Sequence, residues 1–208
     1  MQDVTAHVNV LSERIHEMRN DGDRILVAIT GAPASGKSTL AAEVNRRLNL
    51  QKVKSMVVPM DGFHLDNAIL ERRDLMPRKG SPETFDAIGF LNLVNRLKEN
   101  AEVFAPAFDR TRDLSIAGAI EVPADCEVVL VEGNYLMHDE APWEYLAPLW
   151  DLTARVDVPL EQLRARLIQR WLSLNHSRAV ATRRAESNDI PNAKRIIEHA
   201  LPCDIVLT

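Results

Sequence analysis

Five short apolar runs punctuate the chain, and amphipathic stretches lie between them. The first run, RILVAIT at 24–30, is almost wholly apolar. A strand of that kind is covered on both faces, as in a parallel sheet flanked by helices. VKSMVVPM at 53–60, CEVVLVE at 126–132, LTARVDV at 152–158 and CDIVL at 203–207 predict four more strands. Elsewhere the apolar period lengthens. Val4, Val8, Leu11, Ile15 and Met18 share one helical face, and the DGD at 21–23 ends that helix. Leu40, Val44 and Leu48 line a helix from about Lys37 to Leu48, and DAIGFLNLVNRLKEN and LEQLRARLIQRWLSL predict two more. The alternation predicts an α/β fold, a five-stranded parallel sheet doubly wound with right-handed crossovers. Residues 103–122 break the rhythm. Pro106 and Pro123 bracket short, hairpin-like pieces there, expected to form an insertion over the sheet. No repeat or low-complexity segment occurs, and 208 residues suit one domain spanning 1–208.

Composition narrows the function classes. Apolar residues at 46% and charged residues at 26% are an ordinary soluble balance. A net charge of −5 argues against a general nucleic-acid binder. No run approaches the roughly 18 apolar residues of a membrane span, and the N-terminal twenty residues hold no secretory apolar core. Cys126 and Cys203 fall in separate predicted strands without metal-ligand spacing, which suits reduced, buried thiols. A cytoplasmic protein without nucleic-acid or membrane partners is expected.

The stretch GAPASGKST at 31–39 changes the picture most. Gly31, four residues, Gly36, Lys37 and Ser38 fit the phosphate-loop pattern, with a buried strand before it and an amphipathic helix after it. That context makes the fold a P-loop NTPase fold. Glycine lets backbone wrap a phosphate without a Cβ clash, and the N–H groups of Ala34, Ser35, Gly36, Lys37, Ser38 and Thr39 are expected to point at it. Ala32 and Pro33 complete the loop. Lys37 is expected on the β- and γ-phosphates and the Ser38 hydroxyl on Mg²⁺. Parallel sheets gather ligands at the carboxyl ends of their strands. Two predicted strands end there in an acid, Asp61 after VVPM and Glu132 after VVLV. Two such acids beside a phosphate loop divide naturally into a metal-associated group and a catalytic base. The GF after Asp61 is expected to be a flexible turn that aims its carboxylate.

MDGFHLDNAILERRDLMPRKGSPETFD, VLVEGNYLM and the phosphate loop together resemble the small-molecule kinases grouped around uridine kinase, phosphoribulokinase and type I pantothenate kinase. The likeness runs from Arg24 to the final strand and is strongest to bacterial members labelled fructose-transport-system kinases. It implies an ATP- and Mg²⁺-dependent transfer of phosphate to an alcohol of a small molecule, with a sugar as first choice and a nucleoside or pantothenate-type alcohol as alternative. It makes Asp61 the base that meets the acceptor hydroxyl, places Asp86 of ETFD on substrate hydroxyls, and sets Glu132 near Mg²⁺. Arg110 and Arg112 fall in a segment, PAFDRTRD, that resembles the acceptor side. LRARLIQRW and RAVATRR resemble a helical lid at about 164–195, with Arg166 and Arg170 at its matched positions. Those two arginines sit four apart on one helical face, and a basic lid also excludes water from a transferring phosphoryl group. His64 either bonds the acceptor or caps a turn. The aromatic-rich segment 134–150 is expected to pack in the core.

Two rivals share the loop. A GTPase normally reads guanine through Asn-Lys-x-Asp, and the nearest string, NAKR at 192–195, lacks the acid. A non-catalytic ATP-binding regulatory module is opposed by the joint presence of Lys37, Ser38, Asp61 and Glu132. Acceptor identity and oligomeric state stay open at this level.

Overall fold

A computed structural model of the chain describes residues 4–19 and 22–208. Asp21 of the DGD break lies outside the described residues, as do Met1, Gln2, Asp3 and Asn20. Five parallel strands form the main sheet: β1 (Ile25–Gly31), β2 (Ser55–Pro59), β5 (Val128–Gly133), β6 (Leu152–Val156) and β7 (Ile205–Leu207). Their spatial order is β2-β5-β1-β6-β7. The helices are α1 (Thr5–Met18), α2 (Lys37–Leu50), α3 (Asn67–Arg72), α4 (Ala87–Lys98), α5 (Leu160–Ser173), α6 (Arg178–Arg184) and α7 (Ile190–Glu198).

Period-2 geometry divides the core. Every residue of β1 is buried, and successive side chains go to opposite faces. Val27 and Ile29 pack with Leu11, Ile15, Leu40, Val44 and Leu163, from α1, α2 and α5. Leu26 and Ala28 pack with Phe90, Leu93 and Val94 of α4, and with Tyr135, Trp143 and Trp150. The aromatic segment 134–150 thus contributes to the core, as its composition suggested. At the amino edge of the sheet, Arg24 is buried, and its guanidinium donates to the carbonyls of Cys126, Leu97 and Pro123 at 3.0, 3.0 and 2.8 Å.

Residues 103–122 form a two-stranded antiparallel ribbon, β3 (Val103–Asp109) with β4 (Leu114–Val122). The strands are longer than the pieces read from the sequence. Pro106 lies inside β3, where the register shifts between Ala105 and Ala107, because it has no N–H for the ladder. After α5, α6 runs through one π-helical turn (Ala185–Asp189) directly into α7. Such widened turns recur at functional sites, and this one lies over the carboxyl edge of the sheet. Among the described residues, no helix is long and apolar enough to cross a membrane.

Candidate active site

The sheet order puts β1 between β5 and β6, so the chain leaving β1 enters a crevice where strand order reverses. Gly31 ends β1, and a Cβ there would come within 2.8 Å of both Ser35 Oγ and the Val156 carbonyl. Only glycine lets the loop close so tightly. Ala34 and Gly36 both adopt left-handed backbone, at φ 63° and 102°. Lys37 then opens α2, whose N-terminus no side chain caps. The amides of its first turn therefore point outward with the positive end of the helix dipole, a ready anion cradle.

The two strand-end acids meet this cradle by strand pairing. Glu132 of β5 aligns with Ile29 of β1 and with Pro59 of β2. Its carboxylate accepts a 3.0 Å hydrogen bond from the Ser38 hydroxyl. Burial pushes Glu132 above the ordinary carboxylate range, helped by nearby Asp61 and only partly opposed by Lys37. Asp61 lies in a 3-10 turn (Met60–Phe63) just past β2. Burial raises its pKa too, but Lys37 and Arg110 outweigh that, and the carboxyl is held below its usual range. The environment thus favours ionisation of Asp61 more than that of Glu132. Arg110, from the β3–β4 connection, donates to Asp61 Oδ2 at 2.6 Å.

The GF turn works differently from expectation. Gly62 is buried, and a Cβ there would collide with the backbone of Pro106 in β3. Its role is close packing, which fixes the Asp61 turn instead of loosening it. His64 stacks on Phe85 at 4.0 Å between ring centroids and meets Phe108 at 4.8 Å. Burial lowers its pKa to about 4, so the imidazole is neutral near pH 7. Its Nδ1 is buried without a hydrogen-bond partner among the described residues.

A cleft of about 680 Å³ joins these parts. Pro33, Ala34, Gly36, Lys37, Ser38 and Thr39 line one end; Asp61, His64 and Arg110 line the other; Arg170 reaches in from α5. Burial and the nearby Arg110 make Arg170 less basic than a free guanidinium. Glu132 sits behind Ser38. Arg166 takes another position: it donates to the Ala34 and Ser35 carbonyls at 3.3 Å each, tying α5 to the back of the phosphate loop. Asp86 is not brought into the cleft. It is exposed and caps α4, accepting from the Gly89 amide at 2.8 Å. Arg112 pairs with Asp109 within the ribbon at 2.6 Å. The sequence reading missed Lys79, Asp113, Asn134, Trp171, Asn188 and Asp189, all of which line the cleft, as does Arg184 of the expected lid. Lys79 lay in MPRKGS and Asn134 in VEGNYL, so their segments were conspicuous although their side chains were not.

The donors suit a nucleotide polyphosphate with a hard cation. Ser38 and Glu132 offer adjacent oxygens, the ligand type Mg²⁺ takes. Among the described residues no three His, Cys, Asp or Glu side chains converge on a metal position. A site with few protein ligands is the pattern of Mg²⁺, which keeps waters and phosphate oxygens. The buried Ser35 Oγ has no partner among the described residues and lies inside the loop.

Residues 26–178 match the model of the family described as Phosphoribulokinase / Uridine kinase. A Schizosaccharomyces pombe protein named "Putative uridine kinase C227.14" is 33% identical over 209 residues, covering 95% of this chain and 88% of that one. A "Pantothenate kinase" of Bacillus velezensis is 28% identical, covering 82% of this chain and 56% of its own length. A crystal structure titled as a "putative fructose transport system kinase" from Silicibacter sp. TM1040 superposes with a TM-score of 0.92 at 46% identity, covering 97% and 98% of the two chains.

Proposed function

The chain belongs to the phosphoribulokinase/uridine kinase family, and from that premise we propose that it transfers the γ-phosphoryl group of ATP to a hydroxyl of a sugar. The coarser statement stands without the proposal: this is a small-molecule kinase on a P-loop fold. One observation carries the reading of transfer to a hydroxyl. An ionised carboxylate, Asp61, faces the phosphate-loop cleft and is held by Arg110 at 2.6 Å.

Each role follows from that placement. Asp61 accepts the acceptor hydroxyl's proton as the new P–O bond forms, and the same carboxylate keeps the attacking oxygen in line. Lys37, Arg110 and Arg170 surround the reacting region with positive charge, the main protein contribution to phosphoryl transfer. Ser38 and Glu132 would hold the Mg²⁺, which supplies neutralisation of phosphate charge when bound. Arg166 keeps the loop in shape from behind. The helices α5–α7 roof the cleft and are suited to exclude water during transfer.

The sugar preference rests on the name of the Silicibacter relative and on a polar, aromatic-walled acceptor end. ADP release in the presence of ATP and Mg²⁺, measured with sugars, nucleosides and pantothenate in turn, tests it. A sugar should stimulate release well above the blank. Stimulation by a nucleoside or pantothenate alone refutes the sugar, and none at all refutes the kinase chemistry.

A further inference from the structure

The positive groups of the cleft fall into two sets. Lys37, Arg170 and Arg184 stand on the phosphate loop and the helical roof. The acceptor end has Arg110, already engaged by Asp61, and Lys79. Lys79 is fully engaged as well. Its ammonium has three N–H donors. They meet Asn67 Oδ1 at 2.7 Å, Asp113 Oδ1 at 2.9 Å and the Asp113 carbonyl at 3.1 Å. Asn67 completes the triad by donating to Asp113 Oδ2 at 3.2 Å.

This ammonium is also pinned. The Lys79 side chain is only 16% exposed and lies over the Phe108 ring, 5.1 Å from its centroid. Its carbonyl accepts a 2.8 Å bond from Asn188 of the π-helical turn. The next carbonyl, of Gly80, accepts a 2.6 Å bond from the buried Tyr135 hydroxyl. Lys79 therefore cannot swing toward a substrate anion without breaking its three bonds. The adjoining His64 adds no charge near neutral pH. What the wall does offer is uncharged polar side chains, His64 and Asn134, beside the Phe108 ring.

We propose that the acceptor is an uncharged polyhydroxyl compound, and that Asp113 sets this preference by neutralising Lys79. The inference rests on the kinase reading and deepens it. A carboxylate or phosphate on the acceptor would lose its hydration beside Asp113 with the cations of that end, Lys79 and Arg110, already paired, a cost that works as selection against charge.

Matched acceptors isolate charge from shape: a hexitol beside the corresponding aldonate, and pantothenol beside pantothenate. Asp113→Asn is a suitable variant because Asp113 has a left-handed backbone, φ 55°, which asparagine tolerates. It keeps the shape and frees the charge of Lys79. Lys79→Gln does the converse and leaves Asp113 unopposed. The wild type should favour the uncharged member of a pair by about tenfold or more in kcat/KM, the scale of one charge-assisted hydrogen bond. Asp113→Asn should narrow that ratio and Lys79→Gln should widen it, opposite shifts that loss of folded protein cannot mimic. A wild type that prefers the anionic member, or variants that move the ratio in the same direction, overturns the proposal. ADP release with none of these compounds, nor with the sugars and nucleosides of the wider screen, overturns the kinase reading beneath it.

Discussion

Replacing Asp61 with Asn removes one charge and the proton-accepting ability while keeping shape and a hydrogen-bonding oxygen. The structural cost should be small. The Asp61 and Arg110 side chains are 22% and 58% exposed, so their pair is substantially screened by solvent, and such pairs contribute about 0–1 kcal/mol. The chemical cost should be much larger. General-base assistance is worth roughly 10²- to 10⁴-fold, which is about 2.7 to 5.4 kcal/mol of barrier. ATP affinity should hold or rise, because Lys37 and Arg110 lose an opposing charge. Steady-state kinetics at saturating acceptor, with thermal unfolding and ATP titration on the same protein, separate these effects. A folded Asp61→Asn enzyme with kcat within about threefold of wild type would refute the base assignment. Glu132→Gln across a Mg²⁺ titration checks the division of labour. If excess Mg²⁺ rescues the Asp61 variant and not the Glu132 variant, the two roles are reversed.

Arg166→Ala should raise the KM for ATP by about tenfold, since two carbonyls of the phosphate loop lose a charged donor; an unchanged ATP KM with an altered acceptor KM would contradict this. Asp86→Ala should cost about 1 kcal/mol of stability as a lost helix cap, while an acceptor KM raised tenfold or more would restore the substrate role that the resemblance implies. Acid should destabilise the fold through His64. Its native pKa of about 4 lies below the ordinary 6.5, so the unfolded chain takes up the proton first, and stability falls as pH drops from about 6.5 toward 4. His64→Gln should flatten that part of the melting-temperature profile, and an unaltered profile would count against a buried neutral imidazole.

Much of this protein was legible along the chain because the relevant physics is local. The five strands announced themselves as apolar runs, and the β1–loop–α2 unit as a contiguous motif whose glycines, lysine and serine act through their own backbone and nearest neighbours. Asp61 and Glu132 could be singled out because a parallel sheet presents its strand ends at one edge, so position in a strand already implies position in space. Other features depended on partners far along the chain. Nothing local to Arg166 says that it clasps Ala34 and Ser35, or that Gly62 is required by the backbone of Pro106. Arg24 reads as a polar strand boundary until the carbonyls of two distant segments close around it. The resemblance put Asp86 on substrate hydroxyls, and its exposed place capping α4 is visible only in the folded chain. The neutral wall built from Asn67, Lys79 and Asp113 is the clearest case: α3, the following loop and the ribbon must all be folded before its charges cancel. The sequence by itself determined the nucleotide-gripping unit and the strand-end acids, since short-range backbone geometry and strand periodicity specify them. Only the tertiary structure decided which side chains meet across the acceptor end, because those contacts exist only after loop closure brings distant segments within hydrogen-bond range.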